Sequence, residues 1–130
     1  MSFQALSKFS ELIARFKHPY SLPTDIGKDL GLFSLNNYMS FCQLTSFLDS
    51  PDCHPTKLCK GMSKKAVINS FKNAYRQEDF SNKSLFCYYF KQGWIQFEVT
   101  FDELGGLKSL RFHCNNCHVR GGVEIPLTSF

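Results

Sequence analysis

Residues 94–101 read Trp-Ile-Gln-Phe-Glu-Val-Thr-Phe, a strict alternation of apolar and polar side chains. Side chains point to opposite faces of an extended chain in turn. Ile95, Phe97, Val99 and Phe101 therefore share one face, and Gln96, Glu98 and Thr100 the other. Such a strand belongs to a sheet with one buried and one wet side. Its neighbours fit the same sheet, because residues 84–91 are rich in aromatics and residues 107–113 alternate again. Gln92-Gly93 and residues 102–106 are short, glycine-bearing connections of the hairpin type, which makes the three strands an antiparallel meander. Asn115-Asn116 can turn a further hairpin, because Asn tolerates positive φ. Residues 119–127 would then return as a fourth strand, with a bulge at Gly121-Gly122 and with Pro126 confining it to an edge.

Before residue 82 the period is helical. Phe3, Leu6, Phe9, Ile13 and Phe16 recur every three or four residues and form one apolar stripe, and His18-Pro19 stops it. Thr24-Asp25 can cap a short helix that Gly27 and Gly31 would interrupt. Leu35, Tyr38, Phe41, Cys42, Leu44 and Leu48 predict a second helical stripe ending at Ser50-Pro51. Ser63 can cap a third helix, with Val67, Ile68, Phe71 and Tyr75 on its apolar face and Lys64, Lys65, Lys72 and Arg76 on its wet one. The expected fold is α+β: one domain over residues 1–130, whose helical N-terminal half (1–50) packs on a three- to four-stranded antiparallel meander within residues 60–130.

A chain of 130 residues with 43% hydrophobic residues and 14 phenylalanines has enough apolar material for a core. The 15 lysines and arginines give a net charge of +4 but are scattered, whereas nucleic-acid recognition wants them on one face. No apolar run approaches the roughly 20 residues of a membrane span. Lys8, Glu11 and Arg15 interrupt the start, so no export signal is expected there. The expected compartment is the cytoplasm, with the six cysteines reduced.

The run Gly61-Met62-Ser63-Lys64-Lys65-Ala66-Val67 opens a helix. An aromatic strand, a turn, an amphipathic strand ending Phe101-Asp102, glycines, and Leu107-Lys108-Ser109-Leu110 follow it. In this order residues 60–112 resemble the small outer-membrane assembly lipoprotein family of the BamE/SmpA type. They are also similar to related bacterial inhibitor and accessory domains with the same helix-then-meander order. The resemblance implies a sheet face and helix edges presented to another protein, and no catalysis.

Several cysteine arrangements could carry chemistry. Cys114-Asn115-Asn116-Cys117-His118 has the form of a c-type haem attachment site, but attachment needs export and a further axial ligand; a hairpin turn flanked by cysteines accounts for the same residues. Cys114 and Cys117 have the local spacing of half a zinc site, and Cys53, Cys59 or His54 could supply the other half, although five residues between Cys53 and Cys59 is wider than a usual knuckle. A cysteine nucleophile would need a neighbouring histidine and an oxyanion site, which no spacing here demands. Cys42 and Cys87 lie in apolar stretches and are expected in the core.

Trp94 is the only tryptophan, and the strand period puts it with Gln96 and Glu98 on the polar face. Tyr88 and Arg111 are expected to share that face. An aromatic there is either a binding anchor or a residue that the first half of the chain folds back to cover. The leading expectation is a non-enzymatic protein-interaction module, an inhibitor, adaptor or chaperone-like factor, binding through Trp94, Gln96, Glu98, Arg111 and Tyr88 and needing no cofactor. A small zinc-binding protein and a cysteine-dependent enzyme are the alternatives.

Overall fold

The computed structural model describes residues 20–115 and 122–129. Among these are three helices, α1 (Pro23–Leu30), α2 (Phe41–Leu48) and α3 (Lys64–Ser70). They are followed by β1 (Arg76–Asp79), β2 (Lys83–Tyr89), β3 (Trp94–Phe101), β4 (Leu107–Cys114) and β5 (Val123–Ile125). The strands form one antiparallel sheet in chain order, so the protein is α+β, with five strands where three or four are expected from the sequence. The stripe at Phe3 to Phe16 and the turn at Asn115-Asn116 fall wholly or partly outside the described residues.

Each helix start follows from local chemistry. Pro23 occupies the first turn of α1, where its missing N–H costs nothing, and the Asp25 carboxylate accepts from the Leu22 N–H at 2.8 Å. Gly27 does not interrupt this helix. A Cβ there would stand 2.8 Å from the Leu32 carbonyl oxygen, because the chain folds back over the helix end, where the Leu32 N–H donates to the Gly27 carbonyl. Gly31 then ends α1 in the left-handed conformation (φ 74°). Helix α2 begins at Phe41, later than its apolar spacing predicts, because Ser40 and Gln43 form a reciprocal capping box. Tyr38 consequently lies in the preceding turn and is 98% exposed. Ser63 caps α3 as expected, its hydroxyl accepting from the Ala66 N–H, but the helix ends at Ser70 and leaves Tyr75 outside it.

The sheet fixes which side chains face inward. Tyr88 pairs with Ile95, Phe86 with Phe97 and Phe97 with Phe112, and all are buried. Onto this face packs Phe71, its ring stacked on Phe86 with centroids 4.0 Å apart. Ile26, Leu30, Leu44, Leu48, Leu58 and Val67 complete the same buried cluster. Burying side chains of this size contributes about 1.5–3 kcal/mol each, the dominant favourable term. At the end of β2 the ladder is continued by Ser21, whose N–H donates to the Tyr89 carbonyl and whose hydroxyl accepts from the Tyr89 N–H, tying the entry to α1 onto the sheet.

Candidate functional site

The outer face of the sheet is assembled by the register of β1 to β5. One cross-strand row holds Tyr89 and Trp94. The next holds Arg76, Cys87, Gln96 and His113, and the one after it Glu78, Leu85, Glu98, Arg111 and Glu124. Trp94 is 37% exposed, and its N–H donates to the Asn115 side-chain oxygen at 3.0 Å, which fixes the strand start. Tyr75 meets Tyr89 edge-to-face at 5.0 Å, so three aromatic residues gather at this corner of the face. Aromatic rings of this kind offer a large contact area with few rotatable bonds.

Behind the aromatic corner lies a polar ladder centred on Glu98. Its carboxylate has His113 Nε2 at 3.3 Å on one side and Lys83 Nζ at 4.0 Å on the other. Such half-exposed pairs contribute little to stability, about 0–1 kcal/mol. They set Glu98 between His113 and Lys83, opposite Arg111 in the register and two residues from Gln96. The face thus joins charged side chains to aromatics that are exposed or half-buried.

Of the five residues expected here, Trp94, Gln96, Glu98 and Arg111 lie on this face, and Tyr88 does not. Tyr88 is wholly buried, opposite Ile95 on the inner side, where its hydroxyl donates to Asp29 Oδ2 at 2.5 Å. The β2 run Leu85-Phe86-Cys87-Tyr88-Tyr89 is apolar or aromatic at both parities, so its period alone does not fix its phase. Tyr89 takes the outer position expected for Tyr88. Counting back across the tight Phe90 to Gly93 turn, whose two ends exchange backbone hydrogen bonds, places Tyr89 opposite Trp94.

Five of the six cysteines lie among the described residues. Cys114 is disulfide-bonded and not a free thiol, so in this state its sulfur is no thiolate ligand for zinc. Cys53 is buried, which pushes its thiol up to about 11 and keeps it protonated near neutrality. Cys59 is half-buried, and among the described residues no group of three or more Cys, His, Asp or Glu side chains is placed to hold a metal ion. Cys117 and His118 lie outside the described residues. Cys42 is exposed on α2, and Cys87 is half-buried on the outer face, so neither is the core residue its apolar neighbourhood suggests. Burial first, and Glu78 second, push the Cys87 thiol above its ordinary value, the opposite of what a nucleophile requires.

Among the described residues no helix is long and apolar enough to cross a membrane. Comparison with family models, curated proteins and solved structures found no match to this chain.

Proposed function

We propose that the protein is a non-enzymatic interaction module that binds another protein through the outer face of its sheet. The observation that carries this reading is the aromatic corner of Tyr75, Tyr89 and Trp94, set beside the polar residues Gln96, Glu98 and Arg111 on the same face. Interfaces concentrate their binding energy in a few tryptophan, tyrosine and arginine residues surrounded by polar groups, and this face has that composition. The helix-then-meander resemblance of residues 60–112 points the same way, since it implies a sheet face presented to a partner.

Replacing Trp94 and Arg111 together by alanine tests the reading. Two lost anchors of about 2 kcal/mol each weaken binding by well over tenfold. Retention of the native partner by the double variant is expected to fall accordingly, with an unchanged far-UV spectrum. Equal retention by variant and wild type would remove the outer face from consideration. Because Trp94 is the only tryptophan, its emission is also expected to shift to shorter wavelength when the partner covers it.

A further inference from the structure

On the helical side, away from the outer face, an open cleft of about 550 Å³ lies between α1, the loop at Lys57 and the end of α3. That volume is within the range of small-molecule sites, about 300–1,000 Å³. Three lysines from three separate segments line it: Lys28 from α1, Lys57 from the loop and Lys72 from the turn after α3. Among the described residues none of the three has a carboxylate within ion-pair distance. Like charges gathered around a concavity repel one another, and an anion seated between them relieves that repulsion.

The walls are held before any ligand arrives. At the end of α1 the carbonyls that a helix leaves unpaired are all occupied. The Ser70 hydroxyl donates to that of Asp29 at 2.5 Å, the Lys57 N–H to that of Leu30 at 3.1 Å, and the Thr56 hydroxyl to that of Gly31 at 2.8 Å. Lys57 Nζ donates to the Lys28 carbonyl, which places its ammonium beside α1 with two protons still to give. The one carboxylate in the lining, Asp29, is turned into the fold. Its oxygens accept from the Asn73 N–H, the Asn73 side-chain amide and the Tyr88 hydroxyl. Met62 and Ala66 supply an apolar stretch beside these polar groups.

We propose that this cleft binds a small phosphorylated organic molecule, with Lys28, Lys57 and Lys72 taking the phosphoryl group and Met62 and Ala66 the organic part. A bare phosphate ion fills only a fraction of the volume, and the apolar stretch gives the remainder a reason to be occupied. The site is independent of the protein-binding face, so either assignment can fail without the other.

Titration of the isotope-labelled full chain with phenyl phosphate and with inorganic phosphate, followed by amide NMR, tests the proposal. Saturable shifts are expected at Asn69, Ser70 and Asn73, with phenyl phosphate binding more tightly than inorganic phosphate. The double variant Lys28→Gln, Lys72→Gln is expected to bind phenyl phosphate at least about tenfold more weakly. Its remaining amide positions, unchanged from wild type, report that it is folded. Absence of saturable shifts in the wild type, equal affinity for the two probes, or undiminished binding by the folded variant would each overturn the proposal.

Discussion

Asp29 is 2% exposed, and it survives inside the fold because its hydrogen-bond partners come from far along the chain, Asn73 from 44 residues away and Tyr88 from 59. Removing one donor to a buried acceptor costs about 1–3 kcal/mol, so Tyr88→Phe is expected to lose that much stability in denaturant unfolding, although its ring still packs. A loss below a few tenths of a kcal/mol would mean that the hydrogen bond carries no weight. Burial, the largest influence, raises the Asp29 carboxyl above its ordinary value of 3.8 against the pull of Tyr88 and Asn73. A folded state with the higher value binds the proton more tightly. The contribution of Asp29 is therefore full below about pH 3.9 and is lost as pH rises through the raised value. The unfolding free energy of wild type minus that of Asp29→Asn is expected to fall from about pH 4 upward, and a difference that rises with pH would contradict the assignment. None of this was legible in the sequence, where Asp29 reads as one more polar position in a short helix. The composition of β2 does not set the phase of Tyr88 either; the Phe90 to Gly93 turn and the pairing with Ile95 do.

Elements whose signal is local could be read directly. Strand β3 has the bounds its alternation predicts, and Ser63 caps α3. Strand β1 left no trace, because Arg76-Gln77-Glu78-Asp79 has no apolar face at all. It is an edge strand recruited by pairing with β2, and its charges discourage a further strand from adding. Helix α1 gives a sharper test. On propensity alone Gly27→Ala would stabilise a helix by about 1 kcal/mol. Here the new Cβ would press on the Leu32 carbonyl oxygen at 2.8 Å, so the variant is expected to be destabilised, and a raised melting temperature would refute that close approach. At the start of α2, Ser40→Ala removes the hydroxyl that accepts from the Gln43 N–H and is expected to cost about 0.5–2 kcal/mol.

Across the whole molecule the two faces of the sheet differ in what they bury. The inner face is consumed by the core: Phe71 lies stacked on Phe86 and 6.0 Å from Phe97, and Phe71→Ala is expected to cost about 3–5 kcal/mol through the cavity it leaves. The outer face keeps Trp94 and Arg111 exposed in part, with Glu98 oriented between His113 and Lys83. That division was visible in the alternation of β3, whereas the gathering of Tyr75 and Tyr89 beside Trp94 required the register. A photoreactive benzophenone side chain placed at Trp94 measures the consequence most directly, with Leu104 as its control. Leu104 is 98% exposed in the turn beyond the other end of β3. In cells, a partner adduct is expected from position 94 and not from position 104. Adducts in equal yield from both positions, or from neither, would contradict the outer face as the binding surface.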